Sequence, residues 1–480
     1  MTNIPADTPT RAKKTHTAKY RSSYVTESRA TLTSDNPKVQ EVKLLSLEDS
    51  VLPYVPPELL EKAYNKLVSD NVVKHPMRKP RWCYVPKNPS TVRGDETRVF
   101  KFVEEIFDSV AALSEVEIGM NCLVDGNSAP KSFRSSNSRP DAFLYLGNPQ
   151  CQARDVMWSN TFMPMEFKKS YNVESKLDDF NKVIWSMHHI MRSDACRRSV
   201  LGLTCEDTKA RLWYSDRCDL VASEEFDINK DWKHLARIFL SLQHGTRTKL
   251  GCDPSIALVA LDDPQAEPHY NITIVNHDTR KATTYRTLEL LSDVGVDSTA
   301  GRGTRVWRAR KVVAGSLVGP DCVLKDVWVH EDRVLEHILL GQIREKQPKY
   351  AGYFLTPLDY GFVTIDNSEP DNTHKTLRRK ELKPMDEHLV HISRISNGNK
   401  GKTVNHGVGR AEDISSSDPD GYCGRNYLCN NPRQHYRIVF KELGKPVHDL
   451  RNFADIFTAI QGGLEDRATC IVSVWLYASR

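Results

Sequence analysis

Gly301-Arg302-Gly303-Thr304-Arg305-Val306-Trp307-Arg308, followed by Asp321-Cys322-Val323-Leu324-Lys325 and the run RVLEHILLGQI (Arg333 to Ile343), decides how this chain is read. Two close glycines and a small hydroxyl residue suit a turn between two strands lying over phosphates. Gly301 and Gly303 would let backbone N–H groups approach the oxygens, and Thr304 supplies the hydroxyl, with Val306 two residues on. The second segment reads as a strand ending in Lys325, about two dozen residues after the glycines. The third predicts a helix carrying Glu336 beside Ile338, Leu339 and Ile343, from which a carboxylate can pair with Lys325 and orient its ammonium. Glu345 competes for that role, 20 residues after the lysine rather than 11. A glycine-rich hairpin and a surface glutamate produce the same pattern without any nucleotide, so the flanking sequence has to decide.

Downstream, Tyr353 to Leu358 reads as a further strand, His435 to Gly444 as another ending in a glycine, and Asn452 to Gln461 as a helix. The polar stretch Asp366 to Arg433, with its cluster Arg378-Arg379-Lys380, reads as a disordered insertion, so this unit spans 286–480 with an insertion at 366–433. Upstream, the pattern predicts helices over Val99–Leu113, Leu177–Met191 and Asp231–Leu242. Strands are predicted at Ala142–Leu146, Phe162–Phe167, Ser199–Thr204 and Ala210–Tyr214. Together these describe an accessory α/β domain over 95–285. Residues 1–94 read as a mostly disordered arm with one short helix near Pro56–Val68.

A net charge of +5 over 480 residues is too diffuse to argue for nucleic acid. Eleven cysteines occur without a CxxC pair, which excludes a disulfide framework or an evident zinc site and points to a reducing compartment, cytosol or nucleus. Met1 to Tyr20 lacks the apolar core of a signal peptide, and no apolar run reaches spanning length, so no membrane partner is expected.

Three segments carry a specific resemblance. Asp371 to Leu382 (DNTHKTLRRKEL), Arg437 to Phe453 (RIVFKELGKPVHDLRNF) and Gly202 to Ile228 (GLTCEDTKARLWYSDRCDLVASEEFDI) resemble the fungal-type protein kinase family, with similarity from about 95 to 463. The resemblance implies a protein-kinase-like small lobe with ATP and Mg²⁺ as cofactors. Gly301, Gly303, Thr304, Val306, Lys325 and Glu336 would be its nucleotide-binding residues, and the strand ending at Gly444 its hinge. Two departures matter. Val306 stands where the family pattern has a third glycine, and Arg308 where it has the valine. No HRDxxxxN loop and no DFG occurs, so catalytic base and metal ligands are missing. Asp359-Tyr360-Gly361 and His448-Asp449-Leu450 resemble those motifs only superficially, because the first precedes the hinge-like strand and the second follows it too closely. After Gly463 the family-like sequence gives way to a tail ending in CIVSVWLYASR, which suggests a truncated product or a mistaken gene model.

A separate pattern supports an alternative. Arg139-Pro140-Asp141 heads a strand, and Glu166-Phe167-Lys168 ends one 25 residues later, which resembles the signature of restriction-endonuclease-like nucleases. Residues i and i+2 of a strand share a side, so Glu166 and Lys168 can face one site with Asp141. Two carboxylates would hold Mg²⁺ and the lysine would position a water, with nucleic acid as partner under this reading alone. The expectation is therefore an α/β chain: an accessory, restriction-endonuclease-like or purely structural domain, then an incomplete kinase-like small lobe without catalysis. A non-catalytic scaffold is the further alternative.

Overall fold

The computed structural model describes residues 38–444 apart from 115–117, 135, 260–262, 264–265, 366–368 and 393–427, together with Leu32 and a few positions in 452–461. Two sheets organise it. The first runs β14-β1-β7-β6-β5-β4-β3-β2 across its width. Its strands are β1 (Lys38–Val42), β2 (Met120–Val124), β3 (Ala142–Leu146), β4 (Thr161–Lys168), β5 (Val200–Glu206), β6 (Lys209–Ser215), β7 (Leu220–Ser223) and β14 (Pro384–His391), with Phe226–Asp227 pairing beside β6. Helices cover both faces. One face carries α1 (Leu44–Val51), α2 (Pro57–Ser69), α3 (Phe102–Ala111) and α5 (Trp232–His244), and the other carries α4 (Val173–Ser193).

The layering follows from side-chain alternation. On β6, Ala210, Leu212 and Tyr214 enter the core under α3 and α5, while Trp213 enters the core under α4. Helix α4 crosses between the parallel pair β4 and β5. Asn172 caps it by accepting from the Ser175 N–H at 2.9 Å, and Phe180, Val183, Met187 and Ile190 bury its inner stripe. Pro164 is tolerated within β4 because the ladder to β5 begins one residue later, at Met165↔Leu203.

The second sheet, all antiparallel, runs β8-β9-β10-β11-β12-β15-β13. Its strands are β8 (Ile256–Leu258), β9 (Tyr270–Val275), β10 (Ala282–Ser292), β11 (Arg305–Val313), β12 (Ser316–His330), β13 (Pro357–Phe362) and β15 (Arg433–Phe440), and α6 (Glu336–Lys346) packs on one face. The sheet curls until its ends meet: the His277 N–H donates to the Tyr360 carbonyl at 2.8 Å, and Asn276 and Tyr285 donate to Asp359 at 2.9 and 3.2 Å. Asp359-Tyr360-Gly361 is thus strand β13, and its aspartate is a structural acceptor.

Several boundaries differ from the sequence expectation. From residue 38 onward the expected N-terminal arm belongs to the first core, because β1 is paired on both edges. Strands β8 and β9 belong to the second sheet, which moves the division between units from 285 to near Asp253. The strand expected at 353–358 lies at 357–362, after a 3₁₀ turn over Pro348–Tyr353. The described part of the expected insertion is ordered: β14 extends the first sheet, and Asp371, Asn372 and Thr373 are fully buried. His448-Asp449-Leu450 and the tail after Gln461 lie outside the described residues, while of the helix expected at 452–461 the described Phe453, Ala454, Ile456, Phe457 and Gln461 are helical. Among those described, no helix is long and apolar enough to cross a membrane.

A buried ionic network joins the two sheets. Arg378 donates to Asp216 at 2.7 Å and Asp219 at 2.6 Å, both in the β6–β7 turn. Arg198 reaches Asp371 at 2.7 Å, His435 reaches Asp326 at 2.8 Å, and Arg437 bridges Asp326 and Asp253. Burial opposes the charge of Asp326, yet His435 and Arg437 hold it well below the usual carboxylate range. Burial likewise opposes His435, and Asp326 outweighs it, so the imidazole titrates above its ordinary value.

Two predictions follow from that network. Arg378→Ala strands two buried carboxylates and should cost about 3–5 kcal/mol in chemical denaturation; a loss under 1 kcal/mol would contradict this. A histidine with a raised folded pKa stabilises fully below its unfolded value and loses that contribution as pH rises through the folded one. Unfolding free energy should therefore decline above about pH 6.5, and His435→Gln should make that decline shallower.

Candidate functional sites

Strand β12 sets up the first site by alternation. Cys322, Leu324 and Asp326 face the interior of the curled sheet, while Val323, Lys325 and Val327 face α6. Glu336 opens α6, and the Lys325 ammonium donates to its carboxylate at 2.6 Å. Val306 is the cross-strand partner of Lys325 and packs into the same apolar cluster. Of the residues expected to bind nucleotide, Val306, Lys325 and Glu336 therefore come together. Ile338, Leu339, Leu355, Leu358 and Leu443 are exposed on this unit.

The glycines sit differently. The Gly301 N–H donates to the Arg217 carbonyl at 2.9 Å, and the Trp328 N–H donates to the Arg302 carbonyl at 2.8 Å. Gly303 has φ +55°, and a Cβ there would stand 2.8 Å from Arg217 Nε. Arg217 is fully buried; desolvation, reinforced by nearby Arg305, lowers its guanidinium to about 9. Thr304 closes against Gly295. The turn expected to lie free over phosphates is thus seated on the first unit, and one of its amides is already used.

The second site lies on the first sheet. Asp141, just before β3, Glu166 on β4 and Asp179 on α4 place carboxylate oxygens within 4.8 Å of one another. Asp141 accepts from the Phe167 N–H at 2.8 Å, which fixes one of its oxygens. Lys168 lies 3.0 Å from Asp178 and 3.9 Å from Asp179. Burial opposes its charge, but Asp179 and Asp178 more than compensate, so it stays an ammonium well above the ordinary lysine range. Glu206, opposite Lys168 across the parallel ladder, is a fourth carboxyl. Burial, with Glu206 and Glu166 nearby, pushes Asp179 up to about 10, and burial pushes Glu206 up to about 7.

The sequence motif picked out Asp141, Glu166 and Lys168, and the fold assembles them. It missed Asp179 and Glu206. Asp179 carried a readable signal: it lies four residues before Val183 on the inner stripe of α4, where a charge is out of place. Glu206 had none, because the last residue of a strand is often polar.

A small antiparallel sheet with a lysine–glutamate pair between a strand and the following helix, joined to an α/β unit, defines a protein-kinase-like α/β protein. A family model described as fungal protein kinase matches residues 139–468, more than half of the chain. The chain belongs to that family. Neither a curated protein nor a solved structure matches it. The matched span begins at Arg139, so it takes in the acidic site as well as the lysine–glutamate pair.

Proposed function

We propose that this chain binds a nucleoside triphosphate at its kinase-like unit without transferring the phosphoryl group. The Lys325–Glu336 pair carries this reading: a glutamate that holds the ammonium at 2.6 Å fixes its direction, as phosphate binding requires. Val306 offers the apolar contact on the same face. The fit is partial, since Gly301 and Gly303 are tied to Arg217. For Mg²⁺ at this lobe the residues do not fit: no HRDxxxxN or DFG occurs in the 480 residues, and among the described residues the carboxylate paired with Lys325 is that of Glu336. Phosphoryl transfer depends on positioning and charge neutralisation, so no step is assigned to this site.

Calorimetry of ATP binding tests the reading. Lys325→Ala should weaken binding by at least tenfold, about 1.4 kcal/mol, and no γ-phosphate should reach a protein acceptor. Equal binding by the variant would overturn it.

A second reading is favoured by one observation, the convergence of Asp141 and Glu166 beside Lys168. It assigns the first unit a Mg²⁺-dependent nuclease activity, in which carboxylates hold the cation and the ammonium of Lys168 meets the phosphate. Water would add to phosphorus and the ester alcohol would leave with a proton, so only water is consumed. DNA cleavage that needs Mg²⁺ and is lost in Asp141→Ala and Glu166→Ala is the expected result. Wild-type protein without such cleavage sinks this reading.

A further inference from the structure

Helix α4 contributes a group to the acidic site that the strand motif does not contain. Asp179 is fully buried, and no hydrogen-bond donor among the described residues reaches either of its oxygens. The nearest cation, Lys168, stands 3.9 Å away and lies closer to Asp178 at 3.0 Å. An independent observation comes from Glu206. It lies outside the three-carboxylate cluster, is fully buried, and no N–H or hydroxyl donor among the described residues reaches its oxygens. Removing a carboxylate from water without hydrogen-bond donors is costly, and a fold needing only packing there would use Asn, Gln or an apolar residue.

We propose that Asp141, Glu166 and Asp179 are the protein ligands of a divalent cation, with Glu206 as an inner carboxyl that draws the cation toward α4. The inference rests on the nuclease-like reading for its location and is independent of whether phosphodiesters are cut. The all-oxygen donor set selects a hard ion, Mg²⁺ or Mn²⁺, over zinc. The geometry suits one: opposite ligands of an octahedral ion at ~2.1 Å lie about 4.2 Å apart, within the 4.8 Å limit on the oxygens here. Asp141 is partly open to solvent, and the ammoniums of Lys168 and Lys182 both meet Asp178 nearby, at 3.0 and 2.7 Å. Positive charge at that rim leaves the outer coordination positions to water or an anionic oxygen.

The test titrates the full chain with MnCl₂ alone, counting bound ion by electron paramagnetic resonance. One saturable site is expected, weakened at least tenfold by Asp179→Asn and by Glu166→Gln, and unchanged by Asp321→Asn on the second sheet. The amides keep the side-chain volumes, and a thermal melt checks that each variant folds. Should one fail, the wild type still decides: Mn²⁺ must raise its melting temperature with a one-site dependence. No saturable Mn²⁺, or binding indifferent to both amides, overturns the inference. Bound Mn²⁺ without DNA cleavage upholds this site and removes the nuclease reading. Cleavage that needs Asp141 but ignores Asp179→Asn keeps the nuclease reading and removes this one.

Discussion

Arg378 between Asp216 and Asp219 is the interaction on which the rest of the structure depends. A guanidinium with its charges paired in the interior cannot be left half-made, because either partner alone is an uncompensated buried charge. Around it, Asp371 meets Arg198 and lies 3.4 Å from His435, and Arg437 closes the set onto Asp253 and Asp326. These residues come from both sheets. The polar segment after β13, which by composition is a loop, is the piece that joins them.

That junction fixes what each site can be. Helix α4 presents Asp179 to the acidic cluster near its N-terminal end. At its C-terminal end the Met191 carbonyl accepts from Arg305 at 2.8 Å and from Arg217 at 3.2 Å. Arg305 starts β11 immediately after the glycine turn, and Arg217 is the residue against which Gly303 rests. The position of the turn beside Lys325 is therefore set by the first unit as much as by its own sheet. A kinase-like unit excised near residue 286 would lose β8, β9 and this support.

Most of the elements were legible because they obey one periodicity each. Ala142–Leu146 matched to the residue, and the helices at 57–69, 173–193 and 232–244 lay within a few residues of their expected limits. The three family-like segments were recognisable as sequence, but their reason was not: Asp216 and Asp219 in Gly202–Ile228, Asp371 and Arg378 in Asp371–Leu382 and Arg437 in Arg437–Phe453 all belong to the junction. Burial of charge in pairs cannot be read from one sequence, since Arg378-Arg379-Lys380 looks like any solvated basic cluster. The same blindness hid Glu206 and the docking of Gly303. At the sites, local pattern supplied Lys325–Glu336 and Asp141–Glu166–Lys168, and tertiary packing supplied what surrounds them.

Native-state hydrogen exchange tests the central claim, that one buried network makes the two sheets a single cooperative unit. The amides of β5 and β6 in the first sheet and of β12 and β15 in the second should share one opening free energy and fall together as denaturant is added. Two distinct opening energies, with the second sheet exchanging while the first stays closed, would contradict the account.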